Sequence, residues 1–234
     1  MRFTPSPPKR PATAAVYLTL AAQLAAMTAL VLFEEVRGRR LAAEIASLGG
    51  DPRSPGAEAL VGAVTLFAVL MMLLVGTTVA ASAAYLTWLV RVRQANSRTA
   101  TAAPVAAGWL IPGVNLIAPA LLVDEVWRGA QPPLDRRHRW LALLGAWWLS
   151  WLTALSLVVV RLPLDAGAGE LTGLSGVELA ATTVAALLCA LTVREITRIQ
   201  TAPSRQRFHS LRPPPRSLSA FRRTPLEPSG TAEG

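Results

Sequence analysis

The side chains best suited to chemistry crowd into one stretch: Trp109, Pro112, Asn115, Pro119, Asp124, Glu125 and Arg128. Asn115 offers two amide donors and one acceptor. In a continuous helix Pro112 would free the carbonyl of Gly108, and Pro119 that of Asn115 itself. The freed carbonyls and the amide then have two uses, local repair of the backbone or the lining of a polar pocket, as in the discontinuous helices of transporters. Just beyond, Asp124 stands four residues and Glu125 three residues before Arg128, spacings that pair acid with base on a helix. This is binding chemistry rather than catalytic chemistry. The two histidines are His138, in an arginine-rich loop, and His209, near the C-terminus. No metal-ligand spacing, intramembrane carboxylate pair or phosphate-cradling glycine loop accompanies them. Ser150, Thr153 and Ser156 have no base in view and read as hydroxyls bonded to their own helix backbone. No catalytic residue, metal site or cofactor is expected.

The elements that carry these residues are apolar. Of 234 residues 52% are hydrophobic and only 16% charged, against about a quarter charged in soluble domains. Mean hydropathy is +0.40. Ala12–Phe33, Leu60–Val90, Trp140–Val160 and Leu179–Val193 contain no charged residue. A transmembrane helix needs about 20 apolar residues, so these runs predict four spans, near 12–33, 60–90, 140–160 and 176–193. The second run is longer than a bilayer core. The last reaches span length only if Gly176 and Val177 join it, with Glu178 at the interface. The segment 102–123 is equally apolar but carries Pro104, Pro112 and Pro119, and broken backbone at membrane depth survives only against protein or a cavity. The predicted fold class is therefore all-α, a multipass transmembrane helical bundle of four full spans plus a proline-broken segment that either re-enters or crosses as a fifth.

Basic residues arbitrate between the two topologies. Of 23, all but Lys9 are arginine. A crossing segment leaves 16 basic residues on the side of the C-terminus and 7 opposite, whereas a re-entrant one leaves 18 and 5. The positive-inside rule prefers the second, with both termini cytoplasmic in a cell-membrane protein. The run after Arg2, Lys9 and Arg10 is too long for a signal peptide and ends in Phe33-Glu34-Glu35, which reads as a retained span after a short basic tail, 1–11. Glu34, Glu35, Glu44, Asp51 and Glu58 fall outside, with Leu41, Ile45 and Leu48 spaced as a short amphipathic helix ended by Gly49-Gly50. The stretch 201–234, rich in Pro, Ser and Arg, is expected to be a disordered tail. The formal net charge of +9 is spread over loops and tails. That distribution suits anionic lipid headgroups and not nucleic acid. Cys189 is the only cysteine, so no intramolecular disulfide forms.

Trp88, Trp127 and Trp140 adjoin arginines at span ends, as interfacial tryptophans do, while Trp147, Trp148 and Trp151 read as packing residues. Gly76, Ala80 and Ala84 form a small-residue ridge suited to close helix contact, within the bundle or with a second copy or another membrane protein. Trp88-Leu89-Val90-Arg91-Val92-Arg93 with Ala95-Asn96, then Gly108-Trp109-Leu110-Ile111-Pro112, Asn115-Leu116 and Pro119, then Glu125-Val126-Trp127-Arg128 resemble the actinobacterial membrane family called domain of unknown function 4328. Ile196-Thr197-Arg198-Ile199-Gln200 is similar to the way that domain closes. The resemblance covers roughly Leu60 to Gln200 and implies the membrane architecture without a substrate. Ala118 and Ala120 flank Pro119 where the family leads one to expect bulkier residues. The function expected is non-catalytic, in membrane assembly, scaffolding or lipid organisation. The alternative is a small carrier or pore for a neutral or lipidic solute with its polar site around Asn115.

Overall fold

The computed structural model describes residues 10–47, 57–97, 99–130, 132, 134–161 and 171–201. The expected N-terminal and C-terminal tails lie outside them, as do Leu48 and Gly49-Gly50. The described chain is helical: α1 (Arg10–Phe33), α2 (Arg39–Ser47), α3 (Ala57–Asn96), α4 (Ala103–Leu110), α5 (Ala118–Gly129), α6 (Arg137–Arg161) and α7 (Gly176–Thr201). Four helices, 11–47, 60–96, 137–159 and 176–201, have the length and composition to cross a membrane. Large apolar side chains such as Leu18, Met72, Val79, Leu149 and Leu187 point outward. This arrangement suits a molecule whose solvent is lipid.

Several boundaries differ from the sequence reading. α1 does not stop at Glu34; a π-helical turn, Glu34–Gly38, carries it directly into α2, so the amphipathic segment prolongs the first span. Leu41 is buried there and Ile45 exposed. Glu34 turns inward instead of facing water. Its carboxylate accepts the Leu171 N–H at 2.8 Å and the Thr172 hydroxyl, tying α1 to the segment before α7. At 40 residues α3 is about 60 Å long and overshoots the bilayer. α7 begins at Gly176, as a full-length last span requires. Glu178 is buried, and its Oε2 accepts from the Ser175 backbone and hydroxyl. That pairing is the carboxylate half of a capping box and satisfies orphan donors of the first turn.

α1 packs between α3 and α7, α7 packs against α6, and α4 with α5 fills the gap between α3 and α6. The tight core occupies one end of this ring. It joins Val16 of α1, Trp88 and Val92 of α3, Val105 of α4, Val126 and Trp127 of α5, Trp140 and Trp147 of α6, and Ile196 of α7. Lipid offers no hydrophobic drive to bring helices together, so such a core holds by close packing and by polar contacts between helices.

Candidate functional site: a folded-back hairpin under a bundle cavity

The proline-rich segment folds back on itself, and each proline has its own part in that. Pro104 and Pro119 sit in the first turns of α4 and α5, where a helix has no N–H partner to lose. Pro112 acts on the residue before it, excluding Ile111 from helical geometry. Ile111 is extended at φ −86°, ψ 117°, and α4 ends there. Gly113 then takes φ +82°, a conformation that glycine adopts without steric cost. A single 3₁₀ turn, Val114–Leu116, leads into α5. The arms touch at Gly108, where an added Cβ would lie 2.8 Å from Leu122 Cδ1 and 3.3 Å from Ala118 Cβ. The smallness of Ala118 permits this approach. Pro119 thus opens α5 and does not interrupt a continuous helix running through Asn115.

Both ends of the hairpin lie at the same end of the bundle. Asn96, closing α3, donates from Nδ2 to the Val126 carbonyl at 2.9 Å, and Gln200 of α7 donates to Asn96 Oδ1 at 3.0 Å. Arg93 of α3 reaches both oxygens of Glu125 at 3.2 Å. Glu125 thus pairs across helices, not with Arg128 as its spacing suggested. Entry and exit of the segment thus meet, which is the geometry of the re-entrant alternative.

Asp124 is the centre of the latch that holds α5. Arg137 grips its two oxygens at 2.6 and 2.9 Å, Trp140 Nε1 donates at 2.9 Å, and Arg128 Nε lies 3.1 Å away as the spacing predicts. The guanidinium of Arg137 also lies over the Trp127 ring, 5.2 Å from its centroid. Trp127 and Trp140 stack at 5.3 Å and 3°. Both are buried, and their stack joins α5 to α6. Burial pushes the Asp124 carboxyl up, but the hydrogen bonds from Arg137 and Trp140 and the charges of Arg137 and Arg128 outweigh it. The carboxyl is held below its ordinary value. Arg137 and Trp140 were missed as site residues because the link to Asp124 is made only by the turn into the next helix.

The remaining site residues part company. Asn115 Oδ1 is buried without a hydrogen-bond partner among the described residues. The carbonyl at the break, that of Leu116, is satisfied by Trp148 Nε1 at 2.9 Å. Backbone repair therefore belongs to Trp148. Around the tip, Leu110, Ile111, Val114, Leu116 and Ile117 are exposed.

A cavity of about 360 Å³ runs between α1, α3, α6 and α7. Trp109 packs edge-on against Tyr85, Trp148 and Trp151 at 5.6 to 6.3 Å, and with Tyr85, Trp147 and Trp151 it makes the aromatic floor. Leu20, Met27, Leu74, Ala154, Leu155, Ala185 and Ala186 are among the walls, and Leu174, preceding α7, lies at the other end. Among the described residues no Asp, Glu, Lys, Arg or His contributes. The polar lining joins Gln23, Thr78 and Ser82 with Thr182 and Cys189 of α7; Gln23 Nε2 donates to Thr78 Oγ1 at 3.1 Å, Thr78 back-bonds to Leu74 O, and Ser82 back-bonds to Thr78 O. Ser150, Thr153 and Ser156 likewise bond carbonyls of their own helix. An apolar hollow of this size with a few convergent polar groups is the usual form of a small-molecule site. Gln23 was visible in the sequence only as a lone amide within an uncharged run.

Fold and site together define an integral membrane protein, a four-span helical bundle with a hairpin folded back beneath a neutral cavity. The chain belongs to the family described as Domain of unknown function (DUF4328), whose family model matches residues 51–201. The match takes in the whole hairpin and three of the four spans. No curated protein and no solved structure matches the chain.

Proposed function

We propose that this protein holds a neutral, lipidic guest in its bundle cavity and organises lipid or other membrane components without catalysing a reaction. The observation that carries this reading is the cavity itself: all four spans and Trp109 line it, and among the described residues its wall holds no charged or imidazole side chain. A charged guest would find no counter-ion there, and burial of an unpaired charge is costly. A hydrolytic or group-transfer reaction would find no general base at the wall.

The carrier reading moves with the pocket, from Asn115 to the Gln23 wall. The aromatic floor and the latched hairpin close one end, which suits a resting site better than an open pore. In this proposal the protein sits in the cell membrane with both termini cytoplasmic. The exposed Arg91, Arg128, Arg136, Arg139, Arg194 and Arg198 at the hairpin end meet anionic headgroups. At the opposite end Arg37, Arg39 and Arg40 are partnered by Glu44, Glu35 and Glu44, which lowers their net pull on lipid. Nucleic acid is not a partner in this reading, and a second copy or another membrane protein remains compatible with it.

The test is to fill the cavity. Ala185→Phe and, separately, Ala154→Phe place a ring in the hollow. Purified wild-type protein is expected to carry a neutral lipid that organic extraction and mass spectrometry detect. The filled variants are expected to lose it while keeping expression and oligomeric state. Equal lipid content in wild type and both filled variants would overturn the proposal.

A further inference from the structure

We infer that the guest is a single-chain neutral lipid with one hydroxyl, and that the hydroxyl donates to Gln23 Oε1 while the chain lies against the apolar walls. This inference rests on the cavity being a ligand site. Gln23 lies at mid-span, 13 residues after Arg10 and 11 before Glu34, on a helix whose other cavity-lining residues are Leu20 and Met27. A primary amide at that depth loses water on both its donor and acceptor sides, and each unsatisfied group is costly in a medium without water. Thr78 satisfies one of the donors. The acceptor, Oε1, has no hydrogen-bond partner among the described residues, and Gln23 lies on the cavity wall.

The two hydroxyls of α3 beside Gln23 do not compete for that acceptor. Thr78 and Ser82 already donate to carbonyls of α3. The Tyr85 hydroxyl and Trp109 Nε1 are sealed in the floor without partners. The wall therefore presents one open acceptor, Oε1, beside the second N–H of the same amide, surrounded by hydrocarbon. A terminal alcohol supplies a donor to it without bringing a charge. A carboxylate or an ammonium would bring a charge for which the described lining holds no counter-ion. Simple interhelical adhesion between Gln23 and Thr78 explains one N–H of the amide but leaves its acceptor unused.

Two photoactivatable probes of equal chain length, a fatty alcohol and the matching alkane, separate the possibilities in full-length protein in nanodiscs. The alcohol is expected to label cavity peptides of α1, α3 and α7 about five- to tenfold more than the alkane, as one hydrogen bond in a dry site would give. Gln23→Leu is expected to bring the ratio to one without reducing alkane labelling. Competition in wild type gives the same answer without a variant, because excess unlabelled alcohol, and not alkane, should displace the probe. Equal labelling by both probes in wild type overturns this inference and leaves the cavity proposal standing. Labelling by neither overturns both.

Discussion

Asn96 and Val126 meet through one hydrogen bond, from Asn96 Nδ2 to the Val126 carbonyl at 2.9 Å. That contact fixes the architecture. It joins the end of the second span to the exit of the proline-rich segment, so everything between must descend into the bundle and return. Gly129 packs so tightly on the same asparagine that an added Cβ would lie 2.8 Å from Nδ2. Gln200 holds its other face. Three helices are pinned by one amide.

Removal of the Asp124 carboxylate should cost more than removal of any other charge in the protein. Asp124→Ala leaves Trp140 Nε1 buried without its acceptor and Arg137 without its pair, a loss of about 2–3 kcal/mol. Arg137→Gln should cost less, since its side chain retains 33% exposure and Trp140 still serves Asp124. Thermal unfolding in detergent, followed by tryptophan fluorescence, measures both. A double variant that merely adds the two losses would show that the pair does not act as a unit.

The latch also carries a pH signature. Because the folded carboxyl of Asp124 is held below its ordinary value, its contribution is fully present above the unfolded value of about 3.9. It is lost as pH falls through the lower folded value. The difference in Tm between wild type and Asp124→Asn should stay constant from pH 7 to about pH 4 and shrink below. A difference that already shrinks between pH 7 and 5 would contradict the assignment.

The two hairpin glycines should fail differently. Gly113→Ala has open space around it but a φ of +82°, so it should cost about 1–2 kcal/mol of backbone strain with the hairpin intact. Gly108→Ala keeps an easy helical backbone but drives a methyl into Leu122, so it should part the arms and loosen Trp109. Binding of the alkane probe reads the second effect. It should fall for Gly108→Ala and hold for Gly113→Ala.

Asn115→Leu should be tolerated. Its side-chain oxygen is buried without a hydrogen-bond partner among the described residues, so its removal breaks no bond of that oxygen and relieves the cost of an unsatisfied acceptor. A change in stability within about 1 kcal/mol is expected, by the same thermal measurement. A larger loss would restore Asn115 to the backbone-repair role that the sequence suggested.

These outcomes mark what was legible in the residues. The four spans were, because an uncharged run of span length has one stable use in a cell. The fold-back was visible as a small excess of arginine on one side. The pocket was not. It depends on Gln23 and Thr78, 55 residues apart, and on which faces of four uniformly apolar helices turn inward, which hydropathy does not encode. Asn115 drew attention because polar residues in apolar segments usually matter, yet the proline before it had already turned the chain so that Trp148 could do the repair. Glu125 and Asp124 illustrate the same limit. Spacing along one helix paired both with Arg128, and packing gave Glu125 to α3 and Asp124 to α6 as well.

The sidedness of the hairpin tests the account most directly, since a segment that crossed would leave the cavity without its floor. Single cysteines at Gln94 and Ala130, in a Cys189→Ala background, can be labelled in intact cells with a membrane-impermeant thiol reagent and again after permeabilisation. The account predicts that both positions are protected in intact cells and that both react once the membrane is opened. Labelling of Gln94 from outside, with Ala130 still protected, would contradict it.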